Sequence, residues 1–173
     1  MTVRPAISLL LVIAAVATAG AAPANIAERL HFYVLGCEAA VLRNEIDAFA
    51  DLPLINDSEG DRHSGQVWQE GPLAVSLDVF RTATKPSALC EVTYLPPRPD
   101  KGEMAEIHLA MLGTEAELST RTSYRRKPAL RGSQYYWCVG PRPLSLTLFD
   151  VLKQQKFVAR LAFASSEKLN CEG

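Results

Sequence analysis

What this sequence lacks narrows it quickly. Beyond the first two dozen residues, no apolar run approaches the roughly 20 residues that a membrane-spanning helix needs. No Cys-x-x-Cys pair occurs, so neither a zinc knuckle nor a thioredoxin-type redox motif is signalled. His-Glu-x-x-His, Gly-x-Ser-x-Gly, a Ser-x-x-Lys with its supporting motifs and a glycine-rich phosphate loop are all missing. An excess of positive charge is missing too. Eighteen basic residues face 19 acidic ones, which excludes a polycation built for nucleic acid. Aromatics at 8% and charges at 21% exclude a disordered chain.

The amino terminus is different in kind. Met1–Ala22 carries one charge, Arg4, then an apolar run over 6–17, then small residues around Ala19, Ala21 and Ala24, each ending an Ala-x-Ala triplet. That pattern reads as a signal peptide over residues 1–21, cut somewhere in 19–24. The remaining 22–173 is then expected to be one exported domain, placed in a bacterial periplasm or secreted from the cell.

Export changes how the four cysteines read. An even number of them (Cys37, Cys90, Cys138 and Cys171) in an oxidising space implies two disulfides. Three pairings are possible. The expectation taken here is Cys90–Cys138 within a sheet and Cys37–Cys171 tying the tail to the first helix.

Hydrophobic spacing predicts a helix from about Asn25 to Ala50, opened by Asn25 with Glu28. The polar stretch 54–72 reads as a loop with a short strand near Gln66–Gln69. Strands are expected at Leu73–Val79 and Leu89–Leu95, where apolar residues alternate. A second helix is expected over Lys101–Leu112, with Asp100 and Glu103 suited to its N-terminus and Gly113 to its C-terminal cap. Further strands follow near Thr120–Lys127, Gln134–Val139, Leu144–Leu152 and Phe157–Ala164. The connections are too short for parallel crossovers. The fold class is therefore α+β: an antiparallel sheet of about five or six strands, with an N-terminal and a mid-chain helix packed on it.

Little in the sequence points to catalysis, and no catalytic residue, metal ligand set or cofactor is assigned. His31, His63 and His108 have no metal-ligand spacing. Asp57-x-Glu59-x-Asp61 resembles the start of a calcium loop, but Arg62 stands where the glycine belongs and Trp68 where the glutamate belongs. Glu115 and Glu117 read as a solvated turn after the second helix.

Charge distribution is the feature above background. Glu28–Glu70 holds nine acids against three arginines, whereas Leu118–Phe149 holds six bases and no acid. Arg121, Arg125, Arg126, Arg131 and Tyr135 form the candidate binding set, because arginines beside aromatics suit planar anions. The competing reading is that the basic strands neutralise the acidic first helix. The function expected is a non-enzymatic binding or interaction module for an anionic envelope ligand or protein, without nucleic acid. The alternatives are a small periplasmic hydrolase using His63 or a structural accessory subunit.

Overall fold

The computed structural model describes residues 25–81, 87–121, 125–129, 132–149, 151, 155–164 and 170–171. The leader expected at 1–21 and its cleavage window lie outside these residues.

Helix α1 (Ile26–Arg43) starts where Asn25 accepts a hydrogen bond from the Glu28 N–H at 2.9 Å. It ends earlier than expected. Asn44 takes a left-handed conformation (φ 58°) and its N–H closes on the Ala39 and Ala40 carbonyls, a common way to satisfy the last carbonyls of a helix. A 3₁₀ turn (Asp47–Phe49) follows and folds back. Gly36 admits this return: a Cβ there would sit 2.6 Å from the Ala48 Cβ and 3.4 Å from the Phe49 ring. Phe49 thereby enters the core against Tyr33 and Trp68.

The polar stretch 54–72 is a correction to the sequence expectation. It forms a hairpin, β1 (Leu54–Glu59) and β2 (His63–Glu70). Every residue of β1 is exposed, so it lacks the alternation that betrays a half-buried strand. Strands β3 (Leu73–Phe80) and β4 (Ser87–Tyr94) come next, then helix α2 (Lys101–Ser119). The box formed by Asp100 and Glu103 opens α2, as expected. However, α2 continues through Gly113, because Thr114 and Leu118 extend the buried stripe begun by Ile107 and Ala110. Strands β5 (Arg125–Ala129), β6 (Gly132–Val139), β7 (Arg142–Phe149) and β8 (Phe157–Phe163) follow.

These eight strands form one antiparallel sheet in the order β1-β2-β3-β4-β8-β7-β6-β5. The class is α+β, with more strands than the sequence showed. Each helix precedes a four-strand meander, and the two meanders join where β4 pairs with β8. Helix α1 lies over this join and buries Leu30, Tyr33, Val34, Cys37, Ala40 and Val41. Each large side chain among them contributes about 1.5–3 kcal/mol when fully removed from water. Helix α2 runs beside α1 in the same direction: His31 meets Thr114, and further along Glu38 meets Arg121. One face of the sheet supplies the core through Leu77, Cys90, Val92, Leu146, Tyr135 and Trp137. The other face carries mixed polar and apolar side chains, including the Glu91–Arg160 pair.

The disulfides are Cys37–Cys90 and Cys138–Cys171, each with Cα atoms 5.5 Å apart. The expected pairing is overturned, and side-chain alternation is the reason. Cys90 shares a cross-strand row with Leu161, Leu146 and Tyr135, on the helix-covered face. Cys138 follows Trp137, which faces the core, and therefore points to the opposite face. Strands β8 and β7 also separate the two cysteines, whereas Cys37 lies directly over β4.

Peptide mapping without reduction should recover the pairs 37–90 and 138–171. Replacing Cys37 and Cys90 together by alanine should cost about 2–4 kcal/mol in denaturant unfolding. Two glycine substitutions should act with opposite sign. Gly36→Ala should destabilise by about 1–3 kcal/mol through overpacking. Gly113→Ala meets only ordinary contact with His31 at 3.8 Å, and should stabilise α2 by about 0.5–1 kcal/mol. Equal effects at both sites in urea titrations would contradict the close approach assigned to Gly36.

Candidate functional site

The acid-free window does not fold into a single surface. Arg121, just past α2, gives a two-pronged contact to Glu38 of α1, at 3.2 and 3.0 Å. Trp137 Nε1 donates to the same carboxylate at 3.3 Å. One acid thus ties α1, the end of α2 and β6 together, and Arg121 serves this junction. Arg142 is also engaged with α1, donating to the Leu42 carbonyl at 3.1 Å. Tyr135 is 1% exposed and belongs to the core, so its ring faces no ligand. Tyr136 lies on the other face, also buried, with the Lys127 ammonium 5.8 Å from its ring centre.

Arg125 and Arg126 occupy β5, in register with Tyr136 and Tyr135. Lys127 follows them and is exposed. Arg131 lies outside the described residues. Of the five candidate residues, two therefore serve the interior and two stand on an edge strand. Pro128 fits that edge, since it has no N–H to offer a ladder.

A second cluster sits near the opposite edge. His63 Nε2 is 2.9 Å from Asp78 Oδ1, and the ring stacks on Phe80 at 4.8 Å. Gly65 leaves the space between them open: a Cβ there would lie 3.0 Å from Asp78 Oδ1, 3.3 Å from His63 Cε1 and 3.3 Å from Ser58 Oγ. Ser58 donates to the Gly65 carbonyl at 3.1 Å. Ser64 shares a cross-strand pair with Glu59 and Val79, on the helix-covered side, so it cannot join His63. The pairing with Asp78 was not legible, because it depends on the register of two strands.

The remaining candidates are structural. His31 packs between the helices, with Nδ1 3.2 Å from Thr114 Oγ1. The Thr114 hydroxyl donates to the Ala110 carbonyl, so His31 Nδ1 must be the donor to Thr114. Burial pushes the His31 pKa down, opposed by the Glu117 charge. A groove of about 480 Å³ opens beside it, lined by Ala27, Glu28, His31, Glu106, Leu109 and Gly113. Arg29, Tyr33, Asp51 and Glu70 link α1 to β2, and the Tyr33 hydroxyl donates to Asp51 at 2.6 Å. Burial first, and Asp51 second, push the Tyr33 pKa up to about 12. Glu115 and Glu117 lie on α2, not in the turn expected after it. Among the described residues, no three His, Cys, Asp or Glu side chains gather as a metal cage.

Comparison of the chain with protein-family models, curated proteins and solved structures returns no match. The two disulfides mark a protein of an oxidising, extracytoplasmic compartment. Among the described residues, no helix is long and apolar enough to cross a membrane.

The junction at Glu38 makes a direct prediction. Glu38→Gln removes the charge opposite Arg121 while keeping the side-chain shape, and should cost about 1–3 kcal/mol. Urea unfolding followed by tryptophan emission reads this, and an unchanged midpoint would remove the junction's role.

Proposed function

We propose that this chain is an exported, non-enzymatic binding module of the bacterial envelope, and that the basic edge strand β5 recognises an anionic partner. The leader over residues 1–21, cut within 19–24, would deliver it to the periplasm or the medium. The observation that carries the reading is the placement of Arg125, Arg126 and Lys127 on a terminal strand, in a stretch where β5, β6 and β7 contain no acid. Such a strand offers both main-chain groups and positive charge to an extended anionic ligand.

Poly-glutamate is a suitable probe. Replacing Arg125, Arg126 and Lys127 together by glutamine should weaken its binding by about tenfold, given roughly 0.5 kcal/mol for each exposed charge contact. Arg142→Gln should leave binding unchanged, since Arg142 is engaged with the end of α1. Equal affinity of the triple variant and the wild type, measured by calorimetry at low salt, would end this reading.

A hydrolase is the second reading, favoured by the His63–Asp78 contact on an exposed face with Ser58 nearby. The same preparations assayed against an ester panel, with His63→Ala as control, separate the two. Activity that survives in His63→Ala, or is absent from both, removes it.

A further inference from the structure

We propose that the partner of the β5 edge is the β1 edge of a second copy of this chain, so that molecules join head to tail through a continued sheet. This deepens the reading of β5 as the binding edge and names its occupant. The argument begins with the cross-strand rows. One row runs Asp57, Gln66, Leu77, Cys90, Leu161, Leu146, Tyr135, Arg126, from the first edge to the last. It starts on an acid and ends on a base. The neighbouring row on the same face starts at Leu54 and ends at Pro128. The two rows of the other face start at Asn56 and Ser58 and end at Lys127 and Arg125. Extending the sheet into a second copy sets Arg126 against Asp57 and Pro128 against Leu54, and no row sets like charges together.

Main-chain direction and polarity agree. The eight strands alternate in direction, so a β1 strand placed beyond β5 is antiparallel to it. The Gly60 N–H bonds the His63 carbonyl at 2.9 Å. Ladder bonds alternate from that pair, which leaves the N–H and C=O of Asp57 facing the open edge. Ala129 and Gly132 pair across two intervening residues, and the same alternation leaves those of Arg126 facing outward.

β1 also carries exposed apolar surface: Leu54 is 48% and Ile55 57% exposed. Exposed apolar residues on a terminal strand are the usual sign of a pairing surface.

Distance explains why the two edges do not satisfy each other within one molecule. Seven strand spacings of about 4.8 Å separate them by roughly 30 Å, several times the Debye length of about 8 Å at physiological salt. Like edges repel, and only β5 with β1 is complementary, which makes the contact selective. Such a contact is heterologous and propagates as an open chain.

Sedimentation velocity of the mature protein tests this, at roughly 10 mM and 1 M salt, where the Debye length falls from about 30 to 3 Å. Association is expected at low salt and its loss at high salt. Asp57→Arg alone and Arg126→Asp alone should each weaken it by about tenfold. The double variant, with the charges exchanged, should restore it. A wild type that stays monomeric at low salt overturns the inference, as does a double variant no better than the singles. Poly-glutamate binding in parallel separates the two claims. Binding through β5 without self-association leaves the function reading standing and removes this one. Self-association without poly-glutamate binding keeps this one and narrows the function reading to the β1 edge, and loss of both removes both.

Discussion

The packing of α1 across the pairing of β4 with β8 is the contact on which the rest depends. Each meander has four strands and one apolar face, and among the described residues the two meet along this join. A helix laid over the join covers both halves at once, so burying its stripe favours the joined sheet over two separate ones. The Cys37–Cys90 bridge then fixes the helix to β4 and closes a loop that contains the whole of β1, β2 and β3. Helix α2 docks beside α1, held by His31 with Thr114 at one level and Glu38 with Arg121 at another. The second bridge acts on the other face of the sheet, where it brings the chain near Cys171 back to β6.

Sequence pattern was informative wherever burial follows a period. Strands β3, β4 and β7 largely alternate apolar and polar residues because one face is covered, β8 is apolar apart from Arg160, and each was legible within a few residues. The start of α2 was legible from Asp100 and Glu103, since a cap is a local interaction. The pattern was silent at β1 and weak at β2, where only Gly65 and Trp68 are buried along eight residues. An edge strand exposed on both sides has no reason to alternate. Gly113 misled because glycine weakens a helix only by about 1 kcal/mol, which the burial of Thr114 and Leu118 outweighs. The disulfide pairing needed to know which face each strand turns to the helices. Sequence shows that Tyr136 and Trp137 face opposite ways, but not that Trp137 is the one facing the core, and Cys138 follows from that choice.

The candidate site divides along the same line. Residue type was enough to mark the acid-free window, but not to say which of its arginines stay available. Arg121 and Arg142 are drawn to α1 because α2 ends and β7 begins beside it, a matter of topology. Tyr135 is claimed by the core because it shares a row with Leu146. Arg125 and Arg126 stand on β5, which among the described residues pairs with a strand on one side only. Self-neutralisation against α1 therefore holds for Arg121 and Arg142, while Arg125, Arg126 and Lys127 belong to a terminal strand of the same window.

A nearly neutral total charge says little about recognition when opposite charges sit at the two ends of a broad sheet. Over roughly 30 Å in salt, the acidic and basic edges act as separate patches, and each is felt only by what comes within a Debye length. Proline and consecutive charges on an edge usually serve to discourage pairing. Here they discourage it unevenly. Pro128 removes one donor, and Arg125, Arg126 and Lys127 repel any basic strand, yet the same three residues attract an acidic one. An edge defended in this way is closed to most strands and open to a few. The sequence places one such strand, Leu54–Glu59, at the other end of the same sheet.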